Sequence, residues 1–170
     1  MTTMLPDARA DASGPMLASY YARHMALRDG VAYGWTGQGT PVRLRAGVRQ
    51  VGVGRDEVYA LLDDGRLLRW RDDPAQAEVM MAGVDWLAAG QSGWFAADAA
   101  AVLWYGNGAQ PAPQRLAEGV VAGCIGDSAD YYIRRDGRLF AKGLAHRGQY
   151  GAGLLTPPPD FVPTATDAVA

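Results

Sequence analysis

GVRQVGVGRDEVYALLDDGRLLRW, residues 47–70, returns as GVDWLAAGQSGWFAADAAAVLWYG at 83–106 and as GVVAGCIGDSADYYIRRDGRLFAK at 119–142. Gly47, Gly83 and Gly119 open the three copies at intervals of 36 residues, each followed by a valine. Further columns agree in chemistry: Gly54, Gly90 and Gly126; Tyr59, Phe95 and Tyr131; Leu67, Leu103 and Leu139; then Leu68, Trp104 and Phe140. Ala101 stands where the other copies have Gly65 and Gly137. A unit of this size cannot bury its own apolar face and must stack on copies of itself, so the repeat decides the architecture.

At an offset of 35 the N-terminal region joins the pattern. Leu27 matches Leu62, Asp29-Gly30 matches Asp64-Gly65, Ala32 matches Leu67, Tyr33 matches Leu68 and Trp35 matches Trp70, a degenerate first copy. Within a unit, Val48, Val51 and Val53 alternate imperfectly, as a short bent strand would. The run from Glu57 to Leu62 leads through Asp63-Asp64-Gly65 into Arg66-Leu67-Leu68-Arg69-Trp70, an antiparallel hairpin turned by a pair that tolerates positive φ. Residues 16–27 could be drawn on a helix, but the column register predicts strands there. The chain is therefore expected to be all-β, a β-propeller of about four blade-equivalents, as a small closed ring, an open arc or a fragment. Units are expected near 12–42, 43–78, 79–114 and 115–160, with a partial fifth start at 161–170 carried by Asp167-Ala168-Val169, and a disordered tail at 1–11.

These features together resemble the regulator of chromosome condensation repeat: glycine-valine, a short apolar strand ending in glycine, an apolar strand, Asp-Gly, then leucine and an aromatic. The third full unit carries it best, with Glu118-Gly119-Val120, the hairpin Arg135-Asp136-Gly137-Arg138-Leu139-Phe140 and the glycine-rich stretch from Gly148 to Gly153. His24-Met25-Ala26-Leu27-Arg28-Asp29-Gly30 fits as well. The resemblance implies a propeller that binds other proteins, as an exchange factor, as an inhibitor capping an enzyme, or as a scaffold. The units are short for that family, and none shows an insertion of the kind its exchange factor uses as a wedge. The family usually closes seven blades, more than this chain supplies.

Composition narrows the partners. The 170 residues carry a net charge of −2 with no basic excess, which argues against nucleic acid. No stretch approaches the roughly 20 apolar residues of a membrane helix, and the first residues lack the pattern of a secretory signal. Lys142 is the only lysine among 16 basic residues, a bias suggesting a GC-rich bacterial genome. With a single cysteine no internal disulfide forms, so the cytoplasm is the simplest compartment. Cys124 falls in the column of Gly52 and Ala88 and reads as an inert packed thiol.

Catalytic motifs dissolve into the repeat. Gly126-Asp127-Ser128 imitates a hydrolase nucleophile motif, yet Asp127 and Ser128 align with Arg55-Asp56 and Gln91-Ser92, the variable positions after a repeat glycine. The glycine clusters at 34–39 and 148–153 precede prolines rather than helices, so they do not form phosphate loops. Two histidines and one cysteine are too few for zinc, and the paired acids lack a converging loop for calcium. No catalytic residue, metal or cofactor is expected.

Arg55, Gln91 and Asp127 share the turn after the first strand of their units and should line one face together. For Trp94, Tyr105 and Tyr150, partial burial between blades is the default, and contact with a partner at the rim is the functional alternative. The reading is a non-enzymatic protein-binding module, in its sharper form an inhibitor or toxin-neutralising, immunity-type protein. Alternatives are self-assembly through unpaired terminal strands at 13–18 and 161–170, a piece of a larger propeller, and a carbohydrate-binding or weakly enzymatic domain. Exposed tryptophan beside paired acids would favour the last.

Overall fold

The computed structural model describes residues 16–107, 110–144 and 160–164. Four antiparallel sheets of four strands follow one another along the chain, each a meander in sequence order. Blade 1 holds β1 (Met16–Tyr20), β2 (Arg23–Arg28), β3 (Val31–Thr36) and β4 (Val42–Ala46). Blade 2 holds β5 (Val48–Val53), β6 (Val58–Leu62), β7 (Leu67–Trp70) and β8 (Glu78–Met81). Blade 3 holds β9 (Val84–Gly90), β10 (Gly93–Asp98), β11 (Leu103–Asn107) and β12 (Gln110–Ala117). Blade 4 holds β13 (Val120–Ile125), β14 (Ala129–Arg134), β15 (Leu139–Gly143) and β16 (Val162–Pro163). A single 3-10 turn at Pro74–Gln76 interrupts the β structure of the described residues.

The repeat glycine is the joint between blades. Gly47 and Gly83 adopt φ of 71° and Gly119 of 68°, a backbone that side chains resist, so glycine sits where the chain reverses into the next sheet. The following valine is then stitched to the preceding hairpin: the Val48, Val84 and Val120 amides donate to the Gly30, Gly65 and Ala101 carbonyls at 3.0 Å each. Each blade closes just before its glycine, and the units expected near 43–78, 79–114 and 115–160 lie as sheets over 48–81, 84–117 and 120–163.

The imperfect alternation at Val48, Val51 and Val53 is a β-bulge. Val48 opposes Leu62 and Gln50 opposes Leu61, leaving Arg49 as the extra residue, and Asp85 and Val121 are extra at the same place in blades 3 and 4. The first hairpin departs from the offset-35 match of Leu27 with Leu62. Leu27 pairs with Ala32 as Leu61 pairs with Leu67, because Asp29-Gly30 makes a turn one residue shorter than Asp63-Asp64-Gly65. Where Ala101 replaces the repeat glycine it takes φ of 60°, and Asp98 supports the turn by accepting from the Ala100 and Val102 amides at 2.9 and 3.0 Å.

Three apolar clusters hold the blades together. Met25, Leu27 and Ala32 meet Val51, Val53, Ala60, Leu68 and Trp70 between blades 1 and 2. Tyr59, Leu61 and Leu67 meet Leu87 and Trp94 between blades 2 and 3. Phe95 and Leu103 meet Val120 and Tyr132 between blades 3 and 4. Each fully buried large side chain contributes about 1.5–3 kcal/mol, so the stack rests on these seams rather than on any one sheet. The first strands of successive blades lie against one another and form the inner edge of the arc.

Cys124 is exposed rather than packed, because no blade among the described residues follows blade 4 to cover its column. Val162–Pro163 pairs with β15 as the outermost strand of blade 4, so this part of 161–170 finishes a blade instead of opening a fifth. Residues 167–169, the 1–11 tail and the 148–153 glycine-rich stretch lie outside the described residues.

Candidate functional site

The four blades present two unlike ends. At the turn end, Asp64 and Asp136 accept from the backbone and side chains of Arg66 and Arg138 within their own hairpins, with guanidinium distances of 2.8 and 2.7 Å. Those hydrogen bonds hold both carboxyls below their ordinary range. These turns satisfy themselves and leave little for a partner.

At the loop end, the segments after the inner strands converge. With its carboxamide turned to suit its neighbours, Gln91 of blade 3 donates to Tyr20 Oη of blade 1 at 3.1 Å and to the Asp127 carbonyl of blade 4 at 3.2 Å. The same nitrogen faces the Asp127 carboxylate. Partial burial raises the Tyr20 phenol pKa first and the Asp127 charge adds to it, while Arg55 of blade 2 pulls it back. Tyr20, Gln91 and Asp127, from blades 1, 3 and 4, thus meet, and Arg55 of blade 2 borders the same depression as Gln91.

Arginines and acids flank this centre. Arg23 reaches from blade 1 to the Asp56 and Arg71 carbonyls and to Asp72 at 3.3 Å, clamping blade 2. Ser92 donates to the buried Asp130 carboxylate at 2.8 and 2.7 Å, tying blade 3 to blade 4. Burial pushes the Asp130 carboxyl up, and Ser92 and the Gly126 amide offset part of that. A depression of about 330 Å³ lies between blades 2 and 3, bordered by Arg55, Asp56, Gln91, Ser92 and Asn107. A wider hollow of about 520 Å³ adjoins it, where Arg69 bridges the buried Glu57 at 3.5 Å and Glu78 at 2.8 Å.

The structure therefore brings Arg55, Gln91 and Asp127 to one end, as their shared column implies. Trp94 is not at that rim: it is 0% exposed, packed between blades 2 and 3, with the Cβ-less Gly106 making room for its ring. The reason is that β10 has a blade on either side: alternation turns Trp94 to blade 2 and Phe95 to blade 4, and both faces are sealed. Tyr105 is half-buried against Phe95, and its hydroxyl meets the Ser92 carbonyl at 3.5 Å and the Asn107 amide at 3.3 Å, so it props the loop from below. Tyr150 lies outside the described residues. Tyr20, Asp56 and Ser92 were missed; Tyr20 stands at the position of Gly54 and Gly90 in strand pairing, which a one-residue difference in hairpin length conceals.

None of the five tryptophans is exposed. Among the described residues no three metal-ligating side chains converge, and no helix is long and apolar enough to cross a membrane.

No protein-family model and no curated protein matches the chain. Solved structures do match. Prp20p from Saccharomyces cerevisiae, a yeast RCC1, superposes with a TM-score of 0.72 at 13% identity over 91% of this chain and 51% of its own. Human WBSCR16 gives 0.69 at 18% identity over 88% and 52%. The N-terminal domain of Nup159 gives 0.55 at 12% identity over 92% and 47%. The chain spans about half the length of these structures, and at such identities the likeness is one of fold. That fold is the β-propeller, as in RCC1, and the described residues build four blades of it.

Proposed function

We propose that the chain is a non-enzymatic protein-binding module that holds its partner on the loop end. The observation that carries this is the meeting of Tyr20, Gln91 and Asp127 at one end of the arc, with Arg55 bordering the depression beside Gln91. Such a surface mixes aromatic, guanidinium, amide and carboxylate groups, the types that give interfaces their anchors and their specificity. Arg55 is exposed and makes no ion pair among the described residues, so its charge is available to a partner. Similar propellers support the class by analogy: Prp20p has been described with its binding to Gsp1p and histones, and YCF48 bound to a D1 peptide.

The finer reading is a cap over an enzyme, of the inhibitor or immunity type, in a bacterial cytoplasm. The polar loop face around Arg55, Gln91 and Asp127 supports it. Trp70 and Trp94 are buried and the other three tryptophans half-buried, which weighs against the exposed tryptophan that a carbohydrate-binding reading calls for.

The test is affinity capture from host extract with three baits: the natural chain, the triple variant Arg55→Ala, Gln91→Ala, Asp127→Ala, and a turn-end control, Arg66→Ala with Arg138→Ala. The natural chain and the control should each recover the same protein at near-equal stoichiometry, and the triple variant should lose at least tenfold. Equal recovery by all three baits would remove the loop end as the binding surface.

A further inference from the structure

The sheet of blade 1 has one covered face and one open face. Met16, Ala18 and Tyr20 pack towards blade 2, whereas Leu17 points the other way and is 79% exposed. Strand pairing puts Leu17 beside Ala26, and Ala26 beside Tyr33. The same three positions of blade 2 are Val51, Ala60 and Leu68, exposed by 1%, 0% and 3% because blade 1 covers them.

Blade 4 shows the converse. Ala122 and Cys124 of β13 are exposed on the face turned away from blade 3. At the position of Cys124, Gly52 is pressed by the next blade: a Cβ there would lie 2.8 Å from that of Ala89. All three seams in the arc are of one kind, the forward face of one blade on the backward face of the next. The open backward face of blade 1 and the open forward face of blade 4 are the two halves of a fourth seam. Among the described residues no apolar cluster joins them.

We propose that a second copy of this chain supplies the missing seam: blade 4 of each copy packs on blade 1 of the other, closing two four-bladed arcs into one eight-bladed ring. A sister blade is the occupant these faces fit, since they repeat the pairing positions of the internal seams. Two longer propellers continue past the part that this chain overlays, 51% and 52% of each, so the four blades superpose on an arc and not on a whole ring. Head-to-tail contacts that fail to close grow into filaments; two half-rings close on themselves around a two-fold axis. This assembly does not depend on what the loop end binds.

Sedimentation equilibrium and near-UV circular dichroism test it. The natural chain should sediment at twice its own mass, and Leu17→Asp and Cys124→Arg should each sediment as folded monomers, both substitutions being at exposed sites. An equimolar mixture of the two variants should pair again, because the intact blade 4 of one meets the intact blade 1 of the other. Maleimide labelling of Cys124 should be at least tenfold slower in the natural chain than in Leu17→Asp. A natural chain that stays monomeric, an open polymer, a pair indifferent to both substitutions, or variants that fail to complement each other would overturn the proposal.

Discussion

The backward faces of blades 1 and 2 use corresponding positions and the same strand pairing, and they differ in having a neighbour. Val51 and Ala60 vanish under blade 1, while Leu17 and Ala26 meet no preceding blade among the described residues. Burial in a stacked repeat is thus a property of place in the stack as much as of pattern. A column read as core is core only where another sheet arrives to cover it.

The sharpest way to break that comparison is to delete the same side chain on either side of it. Leu61→Ala, in the seam between blades 2 and 3, should cost about 2–5 kcal/mol. Leu17→Ala should stay within about 0.5 kcal/mol, provided both are measured by urea unfolding at concentrations where the chain is monomeric. Equal losses would mean that blade 1 is covered after all.

The column of Gly52 and Cys124 sharpens the comparison from the other end. Gly52→Ala forces a Cβ against Ala89 and should cost about 1–3 kcal/mol by overpacking. Cys124→Ser, in the same column with no following blade, should change stability by less than about 0.5 kcal/mol. A Gly52→Ala chain as stable as the natural one would show that the seam is looser than its geometry.

A smaller effect separates Asp130 from Asp127, both at the loop end of blade 4. Asp130 is buried against blade 3 with its pKa raised, so the folded chain keeps a proton there that the unfolded chain has already released. Stability should therefore fall as pH rises from the unfolded carboxylate pKa through the raised folded one, and level off above it. Asp130→Asn should flatten that slope in a pH series of thermal unfolding, and Asp127→Asn, at an exposed site, should leave it in place.

The fold was readable because its signal is periodic. Glycines 36 residues apart, Asp-Gly turns and alternating apolar strands each point to stacked sheets, and they agree. The shared turn of Arg55, Gln91 and Asp127 was readable for the same reason. Trp94 was not: it neighbours that turn in sequence, yet β10 is sealed on both faces, by blade 2 against Trp94 and by blade 4 against Phe95. Tyr20 was hidden by a first hairpin one residue tighter than its copies, which slides the alignment before β2.

Sequence alone determined the unit, its recurrence and the Asp-Gly hairpins, since these follow from local backbone preferences and from the period of apolar residues. Tertiary structure alone decided which columns are sealed, why Cys124 is exposed, and that Gln91 reaches residues from blades 1 and 4. Those outcomes depend on how one sheet is turned against the next. That angle is set by contacts summed across whole faces, and no single stretch of residues encodes it.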